Sequence, residues 1–208
     1  MHAVDALLQP QPSLPSQPAT WLSCFERDGL VVLPNYLAAD LCLTLLQEVQ
    51  QHAELTPAAI GRGQQRQHAS DIRRDKTCWL DGSTVAQQRY MLELNAILSL
   101  LNRHFFLGLT GYECHFAHYQ PGDFYQTHLD AFNQQASRQV TSVCYLNDVQ
   151  DGGELVVYNE HHTELMRLPP KAGSLILFES SRFPHQVLPT RQDRYSIAGW
   201  FRRDQALL

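Results

Sequence analysis

The chain has 208 residues and a formal net charge of −5, with 44% hydrophobic and 18% charged residues. This length suits one domain with a sizeable core, and the composition excludes an intrinsically disordered chain. The negative charge argues against a dedicated nucleic-acid partner, which needs a basic surface. The apolar runs are too short for a membrane helix, and the first twenty residues lack the Lys or Arg that opens a signal peptide. We therefore expect a cytoplasmic protein without a membrane partner.

The N-terminal segment differs in composition from the rest of the chain. Residues 9–18 are rich in Pro, Gln and Ser and hold too little apolar surface to form a core. We therefore expect a flexible leader, residues 1–19, followed by a single domain, residues 20–208.

The first half of the domain predicts helices. Thr20 is a suitable N-cap for the first helix and Gly29 a suitable end, while Ser83 or Thr84 is suited to begin the longest one. Apolar residues recur every three or four positions in the second and third helices. The predicted helices cover residues 21–28, residues 38–52 and the segment from Ser83 or Thr84 up to Gly108, with a strand at 30–33.

A polar and basic segment, residues 61–82, separates the second and third helices. It holds only one short potential strand, at 78–80, and it is too long for a plain connection. We expect it to form a mobile loop or a two-stranded finger, and we call it the finger.

After Gly111 the sequence changes to short segments separated by Gly and Pro turns. Helices followed by regularly spaced strands indicate an α+β fold, in which a β-sandwich or jelly roll is supported by helices on one face. The predicted strands cover residues 113–119, 139–146, 154–158, 165–168, 174–178 and 195–202.

One short motif, His128-Leu129-Asp130, has the spacing of a metal site. In a strand, residues two apart point to the same side, so this imidazole and this carboxylate can reach one ion. We take His185 as the third ligand, because two imidazoles and one carboxylate on one face of an octahedral ion leave positions open, which suits Fe(II) oxygen chemistry. Arg194, nine residues later, is either a surface arginine or a clamp for a dicarboxylate.

Together these motifs resemble the Fe(II)/2-oxoglutarate-dependent oxygenases, and the fuller pattern resembles prolyl 4-hydroxylases of the oxygen-sensing (hypoxia-inducible-factor) type, in a short form typical of bacterial members. The resemblance implies a double-stranded β-helix (jelly-roll) core with supporting N-terminal helices. Its motifs are IRRDKTCWLDG at 72–82, YQPGDFYQTHLD at 119–130, RQVTSVCYLND at 138–148, DGGEL at 151–155 and RYSIAGW at 194–200.

The resemblance also implies roles for individual residues. His128, Asp130 and His185 would bind Fe(II), and Arg194 would pair with the distal carboxylate of 2-oxoglutarate. Two tyrosines and a tryptophan would line the cosubstrate site, unless they are only core residues. These are Tyr145 beside Arg194, Tyr119 near the metal end, and Trp200.

Substrate binding is the weakest part of the resemblance. Asp75 and Arg138 match a pair that ties the finger to the sheet and shapes the substrate opening; otherwise they are solvated charges. The chain departs from the family at Ala198, where members often carry a hydroxyl, and it ends with little room for a C-terminal helix.

The implied reaction is the oxidative decarboxylation of 2-oxoglutarate by O2 to succinate and CO2, coupled to hydroxylation of a prolyl residue in a protein. Ascorbate is a candidate reductant, and elongation factor Tu is a candidate protein partner. Two other functions stay open: an oxygenase acting on a free amino acid, a small metabolite or an alkylated base, and a β-sandwich binding module without catalysis.

Overall fold

The computed structural model describes residues 18–51, 55–58, 70–131 and 137–204. Within these ranges the helices are α1 (Pro18–Asp28), α2 (Ala39–Gln51) and α3 (Val85–Phe105). None of these helices is long and apolar enough to cross a membrane.

The helix ends follow the sequence signals with one exception. Thr84 is the N-cap of α3, since its side chain accepts a hydrogen bond from the Gln87 amide, and Gly29 follows α1 with a φ of 72°. The exception is the start of α1, which begins at Pro18, so that Thr20 lies inside the helix and not at its cap. Proline fits this first position because it needs no backbone donor there. Residues 1–17 of the predicted leader lie outside the described residues.

The described strands form two antiparallel sheets. A seven-stranded sheet has the order β1-β9-β6-β11-β4-β3-β2, and a four-stranded sheet has the order β5-β10-β7-β8. The strands are β1 (Leu30–Leu33), β2 (Thr56–Pro57), β3 (Lys76–Trp79), β4 (Gly111–Tyr119), β5 (Tyr125–His128), β6 (Arg138–Tyr145), β7 (Leu155–Tyr158), β8 (Glu164–Leu168), β9 (Leu175–Glu179), β10 (His185–Val187) and β11 (Arg194–Arg202).

The central strands of the seven-stranded sheet, β9, β6, β11 and β4, are mostly buried on both faces, and their alternating side chains divide the core in two. On β9, Leu175 and Leu177 pack in the cluster that contains the helices, while Ile176 and Phe178 pack in the cluster shared with the four-stranded sheet. Two facing antiparallel sheets with helices on one outer face are the predicted α+β fold with a jelly-roll core, which is therefore confirmed.

Two predicted elements have different bounds in the structure. The strand of the metal motif, β5, ends at His128, so Asp130 lies beyond it and not within it. In the finger, β3 pairs with β2 on one side and with β4 on the other, which places the end of the finger at the edge of the large sheet. Residues 59–69, which include the first nine residues of the finger, lie outside the described residues.

Candidate active site

The three predicted metal ligands meet at one end of the four-stranded sheet. His128 at the end of β5 lies directly opposite His185 at the start of β10 in the strand register. Asp130 lies between them, with its carboxylate oxygens 3.6 Å from Nε2 of His128 and 3.4 Å from Nε2 of His185. One donor atom from each residue lies within 4.8 Å of the others. This donor set fits a facial Fe(II) site, because it leaves half of an octahedron open.

Each ligand is oriented by a hydrogen bond from outside the donor set. Nδ1 of His128 lies 2.8 Å from the Gln126 carbonyl, and Nδ1 of His185 lies 3.0 Å from the Phe183 carbonyl. These carbonyls accept a proton on Nδ1, so Nε2 of each ring presents its lone pair. The Thr141 hydroxyl donates to Asp130 at 2.8 Å, which fixes the carboxylate.

Burial and the neighbouring ligands together set the charge states of His185 and Asp130, the two most enclosed ligands. Burial, followed by the neighbouring His128, lowers the pKa of His185 to about 4, so this imidazole is neutral at pH 7. Burial alone would raise the pKa of Asp130, but the two histidines hold it well below its usual range. A neutral imidazole and an ionised carboxylate are the forms that bind a divalent metal.

The ligands line a cavity of about 440 Å³ between the two sheets. This volume lies within the range of small-molecule sites in proteins. The other predicted site residues that line the cavity are Asp75, Tyr119, Arg138, Arg194 and Trp200.

Arg194 is buried at the first residue of β11 and points into this cavity. Its Nε donates to the Gly153 carbonyl at 3.0 Å and one terminal nitrogen donates to the Ser196 hydroxyl at 3.1 Å. The aromatic rings of Tyr119 and Tyr145 lie 4.7 and 5.0 Å from the guanidinium carbon. A buried guanidinium that lines the cavity fits the distal carboxylate of 2-oxoglutarate.

Two buried polar atoms near the cavity lack a partner among the described residues. They are the Tyr145 hydroxyl, next to Arg194, and the indole N–H of Trp200. Buried donors are normally hydrogen-bonded, so the Tyr145 hydroxyl and Arg194 together fit a bound carboxylate. The ring of Trp200 lines the cavity and is therefore more than a core residue.

Comparisons with known proteins agree with this geometry. Residues 114–202 match the profile of the 2OG-Fe(II) oxygenase superfamily. A solved structure of a Pseudomonas putida prolyl-4-hydroxylase is 35% identical, covers 90% of this chain and 99% of that chain, and superposes with a TM-score of 0.80. The chain belongs to the 2OG-Fe(II) oxygenase superfamily. The cofactor and cosubstrates of this superfamily are Fe(II), 2-oxoglutarate and O2.

Other relatives of this oxygenase are prolyl hydroxylases of animals. A Trichoplax adhaerens prolyl hydroxylase in complex with a hypoxia-inducible-factor peptide is 26% identical, with 88% of this chain and 87% of that chain covered, and has a TM-score of 0.75. Egl nine homolog 1 of Rattus norvegicus is 27% identical over 93% of this chain. The oxygenase covers 61% of that rat protein and 28% of the Caenorhabditis elegans hypoxia-inducible factor prolyl hydroxylase, so it spans less than two thirds of these relatives.

The predicted pair of Asp75 and Arg138 is not formed among the described residues of the oxygenase. Asp75 pairs with Arg73, at 2.6 and 2.8 Å, because the two residues lie on the same short segment beside β5. Arg138 donates to the Glu113 carboxylate at 2.7 and 2.9 Å, and its guanidinium lies 3.6 Å above the Trp200 ring. Asp75 and Arg138 therefore share the cavity but have separate partners.

The sequence did not identify two residues that contact the metal ligands. Tyr125 stacks on His128 with 3.6 Å between ring centroids and 14° between planes. The sequence does not predict this contact, because residues three apart in a regular strand point to opposite sides of the sheet. The strand register explains the contact. His128 pairs with His185 and Tyr125 pairs with Val187, so β5 holds one extra residue at a bulge. The other residue that the sequence did not identify is Thr141, because the residues around it form no motif that indicates a contact with Asp130.

Proposed function

We propose that this oxygenase hydroxylates a prolyl residue in a protein substrate. The observation that carries the proposal is the position of the His128, Asp130 and His185 donor set in one cavity with Arg194. The 35% identity to a prolyl-4-hydroxylase over nearly the whole of that chain supports the choice of reaction. The fold alone does not indicate this reaction, because an epimerase that is only 16% identical has a similar fold, with a TM-score of 0.63.

In this proposal each residue has a definite task. His128, Asp130 and His185 would hold Fe(II), which when bound supplies the oxidative chemistry with O2 and 2-oxoglutarate. Arg194 binds the distal carboxylate of 2-oxoglutarate and thereby orients the keto acid, with Tyr145 beside it. The sheets exclude water around the reacting centre.

The aromatic lining of the cavity supports a substrate with an apolar ring. Tyr119 and Trp200 give the cavity aromatic surface, and Arg138 lies against the Trp200 ring. We propose that the target proline enters past Arg138, with its neighbouring residues on the surface of the oxygenase. The candidate partner is elongation factor Tu, which we take from the resemblance to bacterial members. A cytoplasmic location and ascorbate as reductant belong to the same proposal.

The test has two parts. First, succinate formation from 2-oxoglutarate is measured with Fe(II) and O2, each omitted in turn; a binding module without catalysis would form none. Second, elongation factor Tu and proteome-derived peptides are incubated with the oxygenase and examined by mass spectrometry for a proline heavier by one oxygen atom. Hydroxylation of a free amino acid, a metabolite or an alkylated base, with no modified peptide, would replace the proposal by the small-molecule alternative.

A further inference from the structure

His128 is the least enclosed of the three metal ligands. Its side chain is 18% exposed, compared with 6% for His185 and 7% for Asp130. Rotation of an imidazole about its last side-chain torsion has a broad energy profile, so one hydrogen bond from Nδ1 does not by itself fix the ring plane. A contact with the ring face is needed to hold Nε2 toward the metal.

Tyr125 supplies this contact. Its ring lies nearly parallel to the His128 imidazole at 3.6 Å, whereas the ring of His185 meets His128 at a tilt of 56°. Because β5 has a bulge at this point, Tyr125 reaches the same side as the ligand. Rotation of the imidazole out of its plane would therefore push it into the Tyr125 ring.

Tyr125 is itself held by residues 72–75 of the finger. The Arg73 guanidinium lies 4.3 Å from the Tyr125 ring centroid, and Arg73 and Tyr125 form an isolated backbone bridge. Asp75, which is only 1% exposed, fixes the guanidinium through two hydrogen bonds. A hydrogen bond from the Gln126 amide to the Ile72 carbonyl, at 2.8 Å, joins the segment to β5.

We propose that Tyr125 is a positioning residue for the iron ligand His128, and that Arg73 and Asp75 hold it in place. These residues form one continuous column from a buried carboxylate to the metal, in the order Asp75, Arg73, Tyr125, His128. The inference rests on the proposed iron site. Its consequence is that Arg73 and Asp75, which belong to the finger, contribute to metal affinity.

Metal binding by the whole chain tests this inference without a protein substrate or turnover. Mn(II) is titrated into the purified protein without 2-oxoglutarate, and free Mn(II) is counted by electron paramagnetic resonance. We expect Tyr125→Leu to weaken Mn(II) binding by about tenfold or more, as is typical when a residue that orients a ligand is lost. Tyr125→Phe keeps the stacked ring and restores most of the affinity. Asp75→Asn frees Arg73 and weakens binding in the same direction by a smaller factor.

A matched control separates this role from general stability. Tyr112 packs on Phe201 in the core that contains the helices, and its hydroxyl donates to the Met91 carbonyl of α3. Tyr112→Leu therefore lowers the melting temperature but leaves the Mn(II) affinity unchanged. The visible spectrum of bound Co(II) gives a second reading, which changes in Tyr125→Leu and not in Tyr112→Leu.

The outcomes distinguish this inference from the proposed function. If the wild-type protein binds no Mn(II), the iron site fails and the proposed function fails with it. If the wild type binds Mn(II) and Tyr125→Leu binds it equally well, the positioning role is overturned while the iron site stands. If Tyr125→Leu does not fold, Asp75→Asn decides, and an unchanged affinity overturns the inference.

Discussion

At the scale of single residues, the site depends on hydrogen bonds between segments that are distant in sequence. Arg194 keeps its orientation because Nε donates to the Gly153 carbonyl, in the DGGEL turn. Gly153 has a φ of 72°, and a Cβ there would lie 3.1 Å from Cδ of Arg194. A side chain at this position would therefore be strained and would crowd the arginine. In the sequence, DGGEL is only one of the motifs of the family resemblance, with no role assigned to Gly153.

Loss of one metal ligand is expected to abolish turnover. We predict that His128→Ala or Asp130→Ala lowers activity by more than the 10–100-fold typical of residues outside the donor set, because the facial site loses one of its protein ligands. The measurement is 2-oxoglutarate-dependent succinate formation, with circular dichroism to check the fold. His161→Ala is the control, since that side chain is 79% exposed. Retention of more than about a tenth of the activity in a ligand variant would contradict the assignment.

Loss of the Arg194 side chain is expected to weaken the binding of 2-oxoglutarate. Arg194→Ala removes a buried, charge-assisted partner of the distal carboxylate, at about 2–5 kcal/mol, so the KM for 2-oxoglutarate should rise by at least about thirtyfold. Arg191→Ala is the matched control, because Arg191 is 78% exposed and pairs with an exposed Asp151. An unchanged KM in Arg194→Ala, or a raised one in Arg191→Ala, would assign the clamp elsewhere.

At the scale of elements, periodicity predicted the long helices and strands but not the short strands at the site. The six strands predicted after Gly111 agree with β4, β6, β7, β8, β9 and β11 within two residues at each end. The strand β5, of four residues, was predicted only as the strand of the metal motif and without bounds, and β10, of three residues, was not predicted, because so few residues show no clear alternation. A bulge between them shifts the register further, so the geometry of the metal ligands depends on pairing across the sheet.

The N-cap of α3 offers a test at this scale. The Thr84 hydroxyl accepts from the Gln87 amide at 3.1 Å and donates to Glu48 of α2 at 2.8 Å. Thr84→Ala should lower the free energy of unfolding by about 1 kcal/mol, measured by urea denaturation. Thr84→Ser keeps the hydroxyl and should lose much less, and Ser83→Ala should change little. A larger loss in Ser83→Ala would assign the cap to Ser83.

At the scale of the whole molecule, the sequence predicted the fold and the donor set but not the pairing of charges at the cavity. Asp75, Arg138, Arg73 and Glu113 all line the cavity, and each guanidinium could have paired with either carboxylate. The choice depends on strand register: Glu113 and Arg138 flank β11, while Arg73 and Asp75 lie on one segment beside β5. Such a choice needs coordinates, since the local sequence around each charge is compatible with both pairings.

The separate partners of Asp75 and Arg138 lead to the last prediction, which concerns substrate size. Arg138 lies on the large sheet, where the Glu113 carboxylate and the Trp200 ring hold its guanidinium. Arg138→Ala should therefore leave Mn(II) affinity and the KM for 2-oxoglutarate unchanged. It should raise the KM for a protein substrate, and it should increase the succinate formed per hydroxylation because the target C–H bond is held less well.

The measurement is the ratio of hydroxylated proline to succinate, with elongation factor Tu as the first protein substrate and with any peptide found by mass spectrometry. Arg138→Lys is the matched control, because it keeps a cation but loses the bidentate contact with Glu113, and its ratio should lie between those of Arg138→Ala and the wild type. A free amino acid would not extend past Arg138 to the surface, so its turnover would be insensitive to these changes. If Arg138→Ala equals the wild type on the best protein substrate, the opening does not hold a polypeptide, and the small-molecule function is favoured.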